Sequence, residues 1–552
     1  MDFVRTEVDG VPAFWAEAET GGELRAGLVF RVGRADETLA RGGISHLVEH
    51  LALHQVGQTD YHFNGATGPT ATTFFTQGDP GEVAHFFAAV CRALRDLPMD
   101  RLATERGILR AESSGRGRAV TEPLLPWRYG PATYGLSAYA EFGLDDLTPD
   151  DLRAWVARWF TRGNAALWVT GGPPPPRLRL DLPDGPRMAA PTPSSALPRT
   201  PAFFTGEADA VAFDAVVRRS AAARLYGELL DRRLHAMLRR ERGTSYAAWA
   251  AYEPRDATDG VVTAAADALP DHHGEVTAAF VNVLTEAVAE DDLETVRSMA
   301  RDTLRRPGAA AAFVPNAAVN LLMGAPVLTP RQVCDQLEAV SVEDVRAVAD
   351  EALASGLLMV PVGQSVGRAG FVPAPVWSSA AVQGRSFRSR DYPADRRRLV
   401  VGPEGVSLVD GRRIATVRYA DCVGMLSWAD GARSLFGSDA MNVHVEPRLW
   451  RLPRGALQPI DLAVPADRVA HMPDRPPESL PRPTTSRAQR LWALLRPPLT
   501  PRVAVSVVAA ALLVVLVVVT PRSGESSLAR PALVGLIVGA LSVLLRLRSP
   551  RR

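Results

Sequence analysis

The sequence contains no lysine and little cysteine. All 62 positions of the Lys and Arg class are arginine, and 61 acidic residues nearly balance them, which leaves a formal net charge of +1. A chain so close to neutrality has no bulk basic field, and this argues against nucleic acid as a partner. The cysteines Cys91, Cys334 and Cys422 are isolated, so neither a C-x-x-C motif nor a disulfide framework is expected. The N-terminal stretch MDFVRTEVDGVPAFWAEAET has no apolar core of the signal-peptide type.

The chain is too long for a single hydrophobic core, because cores stop growing near about 250 to 300 residues. Its motifs and composition divide its 552 residues into blocks. The predicted blocks are a metal-binding domain (1–172), a Pro-rich linker (173–200), a second, metal-free domain (201–365), a small β-rich module (385–472), a Pro- and Arg-rich linker (473–501) and a transmembrane hairpin (502–547). The alternating pattern of the β-rich module is typical of a pleckstrin-homology-like barrel.

Two uncharged, apolar runs lie near the C-terminus, at 503–520 and 532–545. The first is long enough to span a bilayer, whereas the second is short, and a buried helix of a globular domain is the alternative for each. Arginines are frequent on both outer sides of the pair and sparse between the two runs, which favours a hairpin with both ends inside. The sequence therefore predicts attachment to a bacterial inner membrane, with the remaining domains facing the cytoplasm.

The segment GGISHLVEHLAL places three polar residues inside an apolar run. His46, Glu49 and His50 have i, i+3, i+4 spacing and would share one face of a helix that is otherwise buried. Buried imidazoles and carboxylates need partners or a metal. The pattern H-x-x-E-H is an inverted zinc-protease motif, in which His46 and His50 bind Zn²⁺ and Glu49 accepts a proton from water. The alternative is a pair of core histidines bonded to nearby backbone.

A catalytic zinc site usually has three protein ligands, so a further ligand is expected downstream. The segment ERGILRAE offers Glu105 and Glu112, which lie two helical turns apart and therefore on one face. The motif and this segment together resemble the insulysin, pitrilysin and mitochondrial processing peptidase family over about residues 1–365. The resemblance implies that Glu112 is the third zinc ligand and that Glu105 steadies the site. The connection from His50 to Glu112 is shorter than is usual in that family.

Two further segments resemble parts of the family that bind substrate. YHFNGATGPTATTFF is similar to an edge strand of the family, which implies that a peptide lies along Asn64 and Ala66 as an added strand. LHAMLRRERGTSY is similar to a segment that supplies an Arg and a Tyr, here Arg239 and Tyr246. The resemblance implies that Arg239 binds a peptide carbonyl or carboxylate and that Tyr246 stabilises the oxyanion. The alternative is an exposed basic helix end before an ordinary strand.

These observations predict an α+β protein. Two similar domains, each a mainly antiparallel sheet covered by helices, are expected before the β-rich module and two transmembrane helices. The implied function is that of a membrane-tethered zinc metalloendopeptidase that hydrolyses peptides or a peptide precursor, with one Zn²⁺ per chain and Glu49 as general base. The alternative is a non-hydrolytic peptide-binding or scaffold subunit. The resemblance also implies pairing, as a homodimer or with a homologous subunit that lacks zinc.

Overall fold

The structure, a computed structural model, describes residues 2–57, 61–115, 117, 119–241, 245–366 and 369–484. In this part of the chain, four β-sheets and their helices belong to one folded unit that ends at Pro483. The protein is α+β, as the sequence predicts. The domain boundaries expected from composition stay predictions.

The first sheet is mixed but mainly antiparallel. Its strands are β1 (Val4–Val8), β2 (Val11–Ala16), β3 (Leu24–Phe30), β4 (His62–Thr67), β5 (Thr72–Gly78) and β6 (Ala165–Thr170). Their order is β1-β2-β6-β3-β5-β4, and only the pair β2–β6 is parallel. Strand β4 lies at one edge, where it pairs with β5 in the described residues. The edge position expected for the Asn64 segment is therefore observed.

Helices cover one face of the first sheet. They are α1 (Ile44–His54), α2 (Pro80–Arg95), α3 (Leu102–Gly115) and α5 (Pro149–Trp159), whereas the short helix α4 (Leu124–Tyr129) packs on strands of the second half. The apolar sides of α1, α2, α3 and α5 share a buried core with β3 and β5. Side chains cap the N-termini of α2 and α5. Asp79 accepts hydrogen bonds from the Gly81 and Glu82 amides, and Thr148 accepts one from the Asp151 amide.

The second half of the unit repeats this arrangement of strands. Its strands are β7 (Ala202–Gly206), β8 (Ala210–Arg218), β9 (Ala248–Pro254), β10 (Asp259–Asp267), β11 (Leu357–Pro361) and β12 (Val372–Pro373). The order is β12-β7-β11-β8-β10-β9, with β7 and β11 parallel and the following pairs antiparallel. The series β7-β11-β8-β10-β9 therefore has the same topology as β2-β6-β3-β5-β4, in agreement with the prediction of two similar folds.

The helices of the second half follow the same plan. They are α6 (Ala221–Leu234), which continues as a π-helix (His235–Glu241), α7 (His273–Thr285), α8 (Glu290–Arg305), α9 (Ala309–Leu322), α10 (Pro330–Glu338) and α11 (Val342–Ser355). Helix α6 connects β8 to β9, and it therefore has the place in the second half that α1 has in the first. Helix α11 precedes β11 as α5 precedes β6.

Each half covers the free face of the other half's sheet with a helix. Val314 on α9 packs with Phe14 and Val29 of the first sheet. In return, Trp127 on α4 stacks on Phe204 of β7, with ring centroids 4.7 Å apart. Because both exchanges bury apolar surface, the two halves stabilise one another.

A β-rich module follows the two halves. Its strands are β13 (Arg385–Arg388), β14 (Arg398–Val401), β15 (Gly405–Asp410), β16 (Arg413–Arg418), β17 (Cys422–Trp428), β18 (Arg433–Gly437), β19 (Asn442–Val445) and β20 (Val469–Met472), and a short helix α12 (Gln458–Ala463) precedes β20. Strands β13–β16 form one sheet, and the other has the order β19-β18-β17-β20. The two sheets share a core that includes Leu399, Leu435 and Ile460. The likeness to pleckstrin-homology barrels stays a prediction.

The predicted transmembrane hairpin requires correction. None of the helices in the described residues combines the length and the apolar character that a membrane span needs. The longest α-helices described, α2 and α8, have 16 residues each and bury only one face, whereas a span needs about 20 predominantly apolar residues. The prediction of two transmembrane helices and of a membrane location is therefore wrong for the structure described. The runs 503–520 and 532–545 lie outside the described residues.

A buried ion pair joins the two halves. Arg128 on α4 donates from Nε to both carboxylate oxygens of Asp214 on β8, at 2.9 Å each, and from Nη2 to Oδ1 at 2.6 Å. Nη2 also donates to the backbone carbonyls of Asp214 and Ser355, at 2.9 and 3.0 Å. Both side chains are almost fully buried. Removal of one partner would leave the other as an unpaired charge in the interior.

We expect Arg128→Met to lower the free energy of unfolding by about 3 to 5 kcal/mol, because Asp214 would remain buried without its cation. Urea titration followed by tryptophan fluorescence measures the change. The control is Arg153→Met, which removes an exposed pair with Asp150 and should cost less than about 1 kcal/mol. Equal stability of Arg128→Met and wild type would contradict the role of the pair.

Candidate metal centre

The start of α1 is fixed by a glycine and a buried carboxylate. Gly43, the residue before the helix, has φ +98°, a conformation that favours glycine. Glu37 accepts hydrogen bonds from the Gly43 and Ser45 amides, at 2.8 and 2.9 Å, and thereby satisfies two N–H groups that the helix leaves free. Burial raises the pKa of Glu37 to about 7. These contacts set the position of the first turn, which carries His46.

His46 is held by a carboxylate from outside its helix. Its Nδ1 lies 2.9 Å from the Glu141 carboxylate, and Glu141 also forms an ion pair with Arg34. Burial lowers the pKa of His46, but the hydrogen bond and the charge of Glu141 outweigh it, so the pKa is raised. Burial acts on Glu141 in the opposite sense, and its bonds to His46 and Arg34 bring the pKa of Glu141 below its ordinary value. The pairing leaves Nε2 of His46 as the ring nitrogen that faces away from Glu141.

His50 has an equivalent partner on α3. Its Nδ1 lies 3.4 Å from the carboxylate of Glu105, which is buried and pairs with Arg101 at 3.1 Å. Each histidine therefore has Nδ1 next to a glutamate that an arginine neutralises. Glu105, for which the resemblance implies a steadying role, therefore lies beside Nδ1 of His50.

The other ring nitrogens converge on one carboxylate. Nε2 of His46 and Nε2 of His50 lie 3.8 Å from Oε2 and Oε1 of Glu112. Ligand atoms of these three residues all lie within 4.8 Å of one another. Two imidazole nitrogens and one carboxylate oxygen are a donor set of catalytic zinc sites, and a carboxylate behind each imidazole is the usual support of such ligands. The residues present therefore fit a zinc ion.

Glu49 lies beside this group and contacts the edge strand β4. It is 3% exposed, its Oε2 accepts a hydrogen bond from the Thr67 hydroxyl at 2.7 Å, and burial raises its pKa. A Cβ atom at Gly65 would lie only 2.5 Å from Oε1 of Glu49, so the backbone of β4 approaches the carboxylate as only glycine allows. The expected peptide-binding residues Asn64 and Ala66 are exposed on the same strand.

The structure brings the predicted pair Arg239 and Tyr246 together. The Arg239 guanidinium lies 5.8 Å from the Tyr246 ring centroid, and the side chain of Tyr246 is 82% exposed. Asp267 accepts hydrogen bonds from the amides of Tyr246 and Ala247, at 2.9 and 2.8 Å, and so fixes the backbone just before the edge strand β9. An aromatic and a basic group are therefore presented side by side on the surface of the second half.

The sequence did not indicate four contributors to the site: Glu37, Gly65, Thr67 and Glu141. None has helical spacing to the motif, because each reaches α1 from another element. A small cavity of about 110 Å³ beside His46 adds a further feature, since Arg34, Tyr139 and Glu141 are among its lining residues. The segment around Glu141 therefore contributes both a partner of His46 and a wall of the adjacent space.

Comparison with known proteins supports the fold. No family model matches the chain, and no curated protein matches its sequence. An inactive domain of an M16 peptidase from Pseudomonas fluorescens has a TM-score of 0.54 at 15% identity, covering 68% of this chain and 100% of that one. A protease from Helicobacter pylori has a TM-score of 0.54 at 15% identity, covering 65% and 98%. The first half of the periplasmic protease PqqL from Escherichia coli has a TM-score of 0.50 at 13% identity, covering 67% and 94%.

The chain therefore has the fold of M16 peptidases, the broad family to which the sequence resemblance pointed. The neighbours include an inactive domain, so the shared fold does not by itself establish catalysis.

The buried Glu37 gives a test of the geometry at the start of α1. Its pKa is about 7 in the folded protein and near 4.5 ordinarily, so between these values the folded state holds a proton that the unfolded chain releases. The free energy of unfolding should therefore fall by up to about 3 kcal/mol, relative to Glu37→Gln, as the pH rises from about 4.5 to about 7. Urea titrations at several pH values, with a chelator present, measure this difference. Parallel pH profiles of the two proteins would contradict the assignment.

Proposed function

We propose that the protein is a zinc metalloendopeptidase. The proposal rests on the different surroundings of the three polar residues of α1. His46 and His50 turn their Nε2 atoms towards Glu112, while Glu49, on the same helix, stays outside this group and lies against an open sheet edge. In this arrangement, the residues that would hold a metal are separate from the residue that would accept a proton.

In this proposal, His46, His50 and Glu112 hold one Zn²⁺ per chain. When bound there, the ion supplies Lewis-acid polarisation of the substrate carbonyl and lowers the pKa of water. Glu141 and Glu105 orient the imidazoles through Nδ1, which directs the lone pair of each Nε2 towards the site. Glu112 is about half exposed, so the group is open to solvent on that side.

Glu49 acts as the general base. Thr67 holds its Oε2, and one of its carboxylate oxygens accepts the proton of the attacking water and then delivers it to the nitrogen of the leaving amine. Because β4 is an edge strand, a peptide adds to it as a further strand, with backbone hydrogen bonds that pass alongside Asn64 and Ala66. This geometry would place the scissile bond near Glu49, since Gly65 brings the strand within contact of that carboxylate.

Arg239 and Tyr246 are proposed to hold substrate in the assembled enzyme. Arg239 would bind a peptide carbonyl or carboxylate, and the Tyr246 hydroxyl would donate to the oxyanion. Their exposure suits contact with a peptide shared between paired chains, either two copies of this chain or this chain and a homologous subunit that lacks zinc.

The proposal predicts that Glu49→Gln retains zinc and loses hydrolysis, because the amide cannot accept the proton. Cleavage of a peptide library, with metal content measured alongside, tests this. Glu112→Gln is the matched control, since loss of a ligand should reduce metal affinity as well as cleavage. Cleavage by Glu49→Gln at the wild-type rate would exclude the role of Glu49. Zinc binding without cleavage by the wild type would favour a non-hydrolytic peptide-binding subunit.

Gly65→Ala gives a second test from the substrate side. The new methyl group would overlap the Glu49 carboxylate, so either the carboxylate or β4 must shift. We expect cleavage to fall by about 10-fold or more while zinc affinity stays close to wild type, because small misplacements of a catalytic group are costly. Gly107→Ala is the control, because a methyl group added at this exposed position of α3 meets open space. Unchanged cleavage by Gly65→Ala would contradict the proposed approach of strand and base.

A further inference from the structure

The partner of His46 belongs to an irregular segment, residues 139–146, here called the Glu141 segment. It follows a 3-10 helix (Thr133–Ala138) and has no helix or strand of its own. On one side, it lies against the residues that start α1: the Gly143 amide donates to the Gly42 carbonyl at 3.1 Å, and a Cβ atom at Gly43 would overlap the Glu141 side chain. These contacts place Glu141 close to His46 but leave the other side of the segment to be supported.

The β-rich module supplies that support. The ring of Phe436, on β18, packs edge-on against Tyr139 with centroids 5.9 Å apart, and its centroid lies 6.2 Å from that of Phe142. The two aromatic contacts therefore lie on either side of Glu141 in the sequence. Asp146 accepts hydrogen bonds from the His471 amide and from its Nδ1, at 2.5 and 2.9 Å.

The same face of the module also covers the chain that leads into α1. Leu426 and Ala470 of the module are buried in an apolar cluster with Leu39 and Ala40. A Cβ atom at Gly424 would lie 2.6 Å from Leu39, so the module approaches this segment closely. Leu39 lies two residues after Glu37, whose side chain caps the start of α1. The module thus contacts two segments that each hold the first turn of α1.

We propose that the β-rich module is a positioning element of the metal centre, which fixes Glu141 on Nδ1 of His46 through the contact of Phe436 with Tyr139 and Phe142. This inference rests on the proposed zinc site. Loss of the ring contact removes apolar burial from the two residues that flank Glu141, in a segment held by turns and not by a helix or strand, so Glu141 is positioned less firmly. His46 then loses the acceptor that orients its ring. Loss of such a partner typically costs about 10- to 100-fold in metal affinity.

The test uses the full chain and measures Zn²⁺ affinity by competition with a chelator, together with the absorption spectrum of bound Co²⁺, which reports ligand geometry. Phe436→Ala should weaken Zn²⁺ binding by about 10-fold, and Glu141→Ala by about 10- to 100-fold. Glu141→Gln should recover part of the loss, because its amide oxygen still accepts from Nδ1. In the double variant, Phe436→Ala should add nothing to Glu141→Ala, since both act through the same hydrogen bond.

A matched control removes the same ring elsewhere in the module. Phe387, on β13, is buried in the module core and does not belong to the cluster that faces the Glu141 segment. Phe387→Ala should lower the stability of the module and leave Zn²⁺ affinity within about 2-fold of wild type at temperatures where the protein is folded. If Phe436→Ala does not fold, Phe436→Leu keeps the apolar volume and removes the ring contact, and should weaken binding in the same direction.

Three outcomes would overturn the inference. A folded Phe436 variant with wild-type Zn²⁺ affinity and Co²⁺ spectrum would show that the module does not position the site. An effect that adds fully to that of Glu141→Ala would show that Phe436 acts by another route, and an equal effect of Phe387→Ala would show general destabilisation. In each of these cases the wild type still binds zinc, so the proposed function stands. A wild type that binds no zinc would instead remove both the proposed function and this inference.

Discussion

The structure depends on one constraint: a helix that is buried on most sides must carry three polar groups on the remaining side. Leu47, Val48 and Leu51 fix α1 in the core of the first half. The free energy cost of burying two imidazoles and a carboxylate is large unless each has a hydrogen-bond partner. The partners come from different parts of the fold: Glu105 from α3, Thr67 from the edge strand and Glu141 from an irregular segment. The surrounding elements are arranged so that these partners reach α1.

The duplicated topology explains how this arrangement is kept rigid. The second half repeats the strand order of the first. Its helix α6, which corresponds to α1, packs into the core of the second half through Leu225, Tyr226 and Leu229, whereas α1 also presents the histidines. The second half also supplies α9, which packs on the face of the first sheet opposite to α1. The exchange of α9 and α4, tied by Arg128 and Asp214, makes the first sheet a buried layer with helices on both faces. A layer held in this way gives α1 and β4 a fixed separation.

The parts of the site that the sequence predicted are those with short-range periodicity. The spacing of His46, Glu49 and His50, and of Glu105 and Glu112, places each set on one helix face, and the structure brings both faces together. Glu141 and Glu37 could not be found in this way, because their positions depend on packing between segments distant in sequence.

The apolar runs near the C-terminus show a limit of prediction from hydropathy. The prediction of membrane helices rested on hydropathy alone, the runs that carried it lie outside the described residues, and no described helix is long and apolar enough to span a membrane.

The charges of the site show why the arrangement suits a divalent cation. Glu141 pairs with Arg34 and Glu105 pairs with Arg101, so the carboxylates behind the imidazoles are already neutralised. Glu49 and Glu112, by contrast, pair with no arginine among the ion pairs of the described residues, and each carries a negative charge when ionised. The two carboxylates, when both are ionised, balance the charge of one divalent cation. Without such a cation, burial of Glu49 is unfavourable, and its raised pKa has burial as its largest cause and the nearby charge of Glu112 as a further one.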